Sequence, residues 1–348
     1  MGNILAYSGL VTKVRAMQAK LLTREDFEKI ASMHSVPEIV AFLKEKPAYR
    51  EHLAAMDESM IHRGNIEKML VQSLYSDYIR LYRFAGMKQK KFLELYLKRY
   101  EMNVINYCLR IVFNHYEFPF DLNYKKEFFD NYSSLSIDRL VTSKNVHELV
   151  ENLKGTEYYE ALKRLDDAQD ANLFDYDLAL NLFYFTMMWK KRKNVLKKKE
   201  LEIFTRDCGS KIDLLNLQWI YRAKQYYHMV PPDIYGLLIP VHYRIPLNLL
   251  KELVEAPTVD EFLKSLEKTS YVRKFGPANN RTIERIYKDC LYQLYLADRR
   301  SNPYSIAAVN TYLFLKEEEL ERLTTAMECI RYGLTAKETL DYTGGVTT

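Results

Sequence analysis

Glycine and proline are scarce in this chain, 11 and 10 among 348 residues. Ordinary proteins carry about twice that share, roughly 12% for the two together. Tight turns need these residues, so a fold of many short strands is disfavoured. Disordered, low-complexity and collagen-like chains are excluded as well. Cysteine is sparse too: Cys108, Cys208, Cys290 and Cys329 stand far apart, with no Cys-x-x-Cys. Such spacing predicts small, reduced, buried side chains and an intracellular setting. No long apolar run occurs. The stretch Leu178 to Trp189 goes 12 residues without a charge, where a membrane span needs about 20. The opening MGNILAYSG has no basic segment before its apolar residues, and Ala6 stands where an N-myristoylated chain has Ser or Thr. Neither a signal peptide nor that lipid anchor is expected.

Reactive constellations are equally hard to find. The glycines never bunch into a phosphate-cradling loop, and no Gly-x-x-x-x-Gly-Lys-Ser/Thr is present. Asp207-Cys208-Gly209-Ser210-Lys211 lacks the earlier glycine of that motif. Seven histidines occur, no two of them three to five residues apart, so neither the His-Glu-x-x-His motif nor a local zinc site is expected. No nucleophile elbow is found. The acid runs Asp166-Asp167 and Glu317-Glu318-Glu319 read as solvated helix faces. The expectation is therefore no catalytic residues, no cofactor and no metal.

What is present is a helical protein's composition, 48% apolar and 28% charged, with 28 tyrosines. Tyrosine suits long half-buried interfaces, because its ring is apolar and its hydroxyl polar. Internal repetition is the strongest signal. Three segments, Ser35 to Tyr49, Asn145 to Tyr159 and Thr258 to Tyr271, open with a capping residue and then Val36, Val146 and Val259. Each has an acid three residues after the cap (Glu38, Glu148, Glu261) and a leucine seven after the valine (Leu43, Leu153, Leu266). The cap oxygen accepts from a first-turn amide, and the acid is expected to reach back to the cap's own amide. Further on come Ile66-Glu67, Tyr176-Asp177 and Ile283-Glu284, each pair followed by an aromatic: Tyr75, Phe185 and Tyr292. Ile66, Met69, Leu70, Leu74, Tyr78 and Leu81 share one helical face, which predicts a helix over 63–84. A weaker third landmark follows at Val104-Ile105-Asn106, Leu214-Leu215-Asn216 and Leu320.

The reading is all-α: three quasi-equivalent helical repeats, 1–120, 121–232 and 233–348, in one continuous structure. The prolines of Glu117 to Tyr124 and Val230 to Pro240 mark the junctions, and the tail Thr343 to Thr348 is expected to fray. The stretch Asn181 to Trp189 reads as helix core.

One charge run stands out, Trp189 to Glu200, with seven basic residues. It falls at a corner between two helices. The equivalent corners carry Lys88, Lys90 and Lys91 in the first repeat and Arg299 and Arg300 in the third. With Lys190, Lys191, Arg192 and Lys193 they form a candidate partner-contact rim, to be weighed against ordinary solvated corners. Nucleic acid is a poor candidate partner, because 46 acids offset 51 basic residues and the pI is 8.7.

Ile212 to Tyr227, the preceding Lys197 to Lys211, and the opening Ala6 to Ile30 together resemble the C subunit of prokaryotic V/A-type rotary ATPases (ATP synthases), related to the d subunit of eukaryotic V-ATPases. The likeness covers essentially the whole chain and includes its threefold repetition. It implies three units around a pseudo-threefold axis, shaped as a cup or funnel. It also implies a non-catalytic rotor subunit, peripheral on the cytoplasmic side of the membrane. Its partners would be the D and F subunits of the central stalk and the membrane proteolipid ring, with no direct membrane insertion. Two other readings stay open: a helical-repeat scaffold that binds acidic partners or RNA, and a helical enzyme whose site is assembled from distant residues.

Overall fold

Helices account for 78% of the described residues, and no strand occurs among them. The computed structural model describes residues 2–54, 56–57, 61–114, 121–168, 170–275 and 282–343. The chain runs α1 (Gly2–Gln18), α2 (Arg24–Ala31), α3 (Val36–Glu45), α4 (Arg50–Leu53), α5 (Arg63–Phe84) and α6 (Met87–Phe113). It continues with α7 (Asn123–Tyr132), α8 (Ile137–Val141), α9 (Val146–Asn152), α10 (Tyr159–Ala168), α11 (Leu173–Val195) and α12 (Lys198–Gln225). The last third holds α13 (Pro231–Leu237), α14 (Leu247–Glu255), α15 (Val259–Glu267), α16 (Ser270–Phe275), α17 (Ile283–Ser301) and α18 (Ile306–Arg331), then α19 (Ala336–Thr343). Each third carries two long helices after its short ones.

The repeated caps work on their forward side. Ser35, Asn145 and Thr258 each accept from the amide of Glu38, Glu148 or Glu261. The return bond differs from the expected one. Glu38 accepts from the amide of His34 at 3.1 Å and Glu148 from that of Lys144 at 2.9 Å, one residue before each cap. A glutamate's extra methylene gives it that reach. The shorter Asp26 and Asp175 do bond their own caps' amides, at Thr23 and Asn172. The leucines of the repeated segments, Leu43, Leu153 and Leu266, are all fully buried. Along α5, Ile66, Leu70, Leu74, Tyr78 and Leu81 are buried, and Met69 sits at the margin of that stripe.

Proline at the second junction opens a helix rather than only ending one. Pro231 and Pro232 occupy the first turn of α13, where a missing N–H costs nothing. Of the first junction, 117–120 lies outside the described residues. In the tail, Thr343 is buried and donates to the Thr339 carbonyl at 2.9 Å, so it is not frayed; 344–348 lies outside the described residues.

The helices group into two compact units. One joins Met1–Lys90 to Asp298–Thr348; the other is Lys91–Ala297. In the first, α18 packs on α1, α2, α3 and α5, and α19 packs on α2 and α18. In the second, α10 packs on α9 and α11, and α12 packs on α11, α13 and α15. Tyr184, Phe185, Met187 and Met188 of α11 are core, as expected. The candidate motif around Gly209 is mid-helix in α12, with no loop to cradle a phosphate. A Cβ at Gly209 would fall 2.5 Å from Cγ of Tyr243, so this glycine serves packing. Cys108, Cys290 and Cys329 are buried free thiols, and burial pushes the Cys108 thiol up to about 12.

Candidate functional site

The basic corners resolve into exposed and engaged side chains. Lys88 and Lys91 are exposed at the start of α6, while the Lys90 ammonium lies 4.8 Å from the Tyr82 ring centroid. At the α11–α12 corner Lys190 and Lys193 are exposed. Lys191 is drawn into an ion pair with Glu157. Arg192 departs from the rim expectation: it is 6% exposed, stacks 3.3 Å over Trp189, and its Nε donates to Thr205. Its stem and plane fill space inside the fold, and guanidinium stacking suits that. At the α17–α18 corner Arg300 is exposed. Arg299 is half-buried and donates to Gln18 Oε1 at 2.5 Å. The side chains open to a partner are therefore Lys88, Lys91, Lys190, Lys193 and Arg300.

A second constellation was not read from the sequence. Each repeated segment carries, at or next to its last residue, a buried tyrosine whose hydroxyl donates to a buried acid on a long second helix. Tyr158 donates to Glu101 of α6 at 2.9 Å, and Tyr271 to Asp213 of α12 at 2.8 Å. Tyr49 donates to Glu319 of α18. The order is head to tail: the acid of one repeat serves the tyrosine of the next, and the last acid serves the first tyrosine. Each acid takes a further donor from the segment leading into those short helices. Ser133 Oγ donates to Glu101 at 2.7 Å. The amides of Tyr243 and Arg244 donate to Asp213 at 3.2 and 2.7 Å. The Leu22 amide donates to Glu319.

A lysine one turn earlier completes two joints. Lys98 pairs with Glu101 at 3.0 Å and Lys316 with Glu319 at 3.0 Å. In the third, Ser210 stands at that position, and Asp213 has no lysine one turn away. Burial pushes its carboxyl up, against the hydrogen bonds from Arg244 and Tyr271. Burial, reinforced by the facing carboxylates, pushes all three tyrosines well up. They stay protonated donors. As protonated donors they can hold helices together.

Glu157 links joint and corner, because it meets Lys98 at 2.8 Å and also Lys191. Burial raises its carboxyl, but the hydrogen bonds from Lys191 and Lys98 outweigh that and hold it below the usual glutamate range. A depressed carboxyl adds stability that is present above its unfolded value and lost as pH falls through its folded value. Unit Lys91–Ala297 is expected to lose stability below the ordinary glutamate range. Glu157→Gln should flatten that acid slope in denaturation midpoints taken across pH; an unchanged slope would assign it to other acids.

The signal for the joints was available in part. Glu101, Asp213 and Glu319 sit one to three residues before the third landmark of each repeat. Reading Glu317-Glu318-Glu319 as a solvated face was wrong for Glu319, which is buried beside Lys316.

No described helix is long and apolar enough to cross a membrane. Compared with known proteins, residues 10–342 match the model of the ATP synthase (C/AC39) subunit family. The chain is 25% identical over 350 residues to the C subunit of the A-type ATP synthase of Archaeoglobus fulgidus, covering 97% of this chain and 96% of that one. It is 24% identical over 351 residues to the Thermococcus kodakarensis protein of the same name, covering 98% and 91%. With the Methanosarcina mazei protein of that name it shares 28% over 268 residues, covering 76% and 71%. Nearly the whole described fold, joints and corners included, lies within the matched span, and the chain belongs to the ATP synthase (C/AC39) subunit family, which holds the C subunits of V/A-type ATPases.

Proposed function

We propose that this chain is the rotor socket of a V/A-type ATPase, coupling the central stalk, made of the D and F subunits, to the membrane proteolipid ring. The family's place in ATP synthase is structural rather than catalytic. The observation that carries the coupling role is the thrice-repeated joint. A torque coupler must resist shear between its parts, and each joint ties the long second helix of one repeat to the short helices of another with charge-assisted bonds away from water. Such bonds are individually worth about 1.5–3 kcal/mol and depend on geometry, so they resist sliding. In this reading the three repeats, 1–120, 121–232 and 233–348, surround one axis. The chain sits at the cytoplasmic face, held to the membrane through its partners. The scaffold for acidic partners or RNA is not favoured.

The exposed corner charges then steer docking. Rim charges change association rate more than affinity. Reversing Lys88, Lys190, Lys193 and Arg300 to Glu is expected to slow association with the isolated stalk or ring by roughly tenfold. Added salt should slow the native chain in the same way. Association to neither partner in surface-binding kinetics would refute the socket. Binding with a rate indifferent to charge and salt would leave the corners as solvated turns.

A further inference from the structure

The first unit exposes an apolar patch that neither the joints nor the corner charges explain. Leu5 is 81% and Ile4 51% exposed on the first turn of α1, while Met87 is 85% and Phe84 56% exposed at the α5–α6 corner. These come together because α1 lies across that corner. Gln89 Nε2 donates to the Ala6 carbonyl at 3.0 Å, and the Lys13 ammonium sits 5.1 Å from the Phe84 ring centroid. Four large exposed apolar side chains on two helices packed together and the corner that follows, two of them more than 80% exposed, are uncommon without a partner.

The sequence on either side of the patch is basic, although Arg80 is paired with Glu51 and Asp77, and Arg24 with Glu28. Residues 1–24 hold no acid and carry Lys13, Arg15, Lys20 and Arg24; residues 78–93 hold none and carry Arg80, Arg83, Lys88, Lys90 and Lys91. An apolar centre whose flanks carry an excess of basic residues, Lys88, Lys90, Lys91 and Lys13 among them, fits an anionic bilayer surface. Hydrocarbon side chains enter the headgroup boundary, and ammonium groups meet phosphates.

We propose that Ile4, Leu5, Phe84 and Met87 form a lipid contact that seats this unit on an anionic membrane surface. The contact is interfacial and needs no spanning segment. It stands apart from the socket reading, because its partner is lipid and not another subunit.

Flotation of the full chain with vesicles tests it directly. The native chain should float with phosphatidylglycerol-containing vesicles and much less with pure phosphatidylcholine. L5E/M87E should cut partitioning by at least about tenfold, since two apolar side chains lose their transfer into the boundary. K88Q/K90Q should cut it by roughly fivefold for each charge removed. Leu5, Met87 and Lys88 are exposed and Lys90 is half-buried against Tyr82, and an unchanged thermal transition of the variants confirms that they fold. Equal flotation with both vesicle types, or of L5E/M87E and native chain alike, would overturn the proposal. So would a native chain that ignores vesicles while L5E/M87E loses the isolated ring in detergent, which would make the patch a protein contact. Stalk binding without lipid is measured alongside, so failure of the socket reading would show separately.

Discussion

Glu319→Gln is expected to lower the stability of the unit formed by Met1–Lys90 and Asp298–Thr348 by about 3–5 kcal/mol. Lys316 is 0% exposed, and its ammonium has Glu319 at 3.0 Å and the Tyr49 hydroxyl at 2.8 Å. It also lies 4.0 Å from the Tyr49 ring centroid. Removing the carboxylate charge leaves a buried cation without its counter-ion, and that is what costs so much. The pair itself is a poor source of net stability, so removing both charges should cost far less. K316M/E319L is expected to recover most of the loss, and urea midpoints of the two single variants and the double give the coupling. Glu101→Gln should cost less, because Lys98 is partly exposed and keeps Glu157. Equal effects of Glu319→Gln and Glu101→Gln, or a loss under about 1 kcal/mol for the first, would mean that Lys316 reaches water.

This contrast marks what one sequence conveys. The α5 helix was legible to the residue, because Ile66 through Leu81 keep one face and Arg63 to Phe84 contains no proline. The caps were legible from residue type, since a Ser, Asn or Thr oxygen satisfies a first-turn amide wherever it stands. Where Glu38 returns its bond was not legible, because one methylene decides between two amides. The joints stayed hidden for a different reason. An acid in a helix is normally solvated, and only its distant tyrosine makes burial tolerable. Tyr49 and Glu319 lie at opposite ends of the chain, and spacing within a helix carries no trace of that pairing. Repetition could have exposed it, since a carboxylate precedes the third landmark in all three repeats. Arg192 misled in the opposite direction: in a run of seven basic residues nothing marks the one whose plane stacks on Trp189.

Gly209→Ala is expected to destabilise unit Lys91–Ala297 by roughly 1–3 kcal/mol, although alanine is the better helix former by about 1 kcal/mol. The new methyl would meet Cγ of Tyr243 at 2.5 Å and its Cβ at 2.9 Å. Those atoms are the stem of the side chain, so the ring cannot swing clear without moving its backbone. That backbone is committed: the amides of Tyr243 and Arg244 donate to Asp213 one turn along the same helix. The Tyr243 ring also meets the edge of Trp189 at 6.2 Å. Displacing the ring therefore strains the third joint, where Asp213 has no lysine one turn away to hold its charge. Tyr243→Ala removes the obstruction, and in that background Gly209→Ala should become neutral or stabilising as the helix propensity reasserts itself. A double-mutant cycle by chemical denaturation reads the sign change directly. Additive effects would mean that the ring relaxes freely and that Gly209 has no packing role. Coupling at this point would also tie the Tyr243–Arg244 segment, between α13 and α14, to the joint, so G209A should open the amides of both residues to hydrogen exchange sooner than in the native chain.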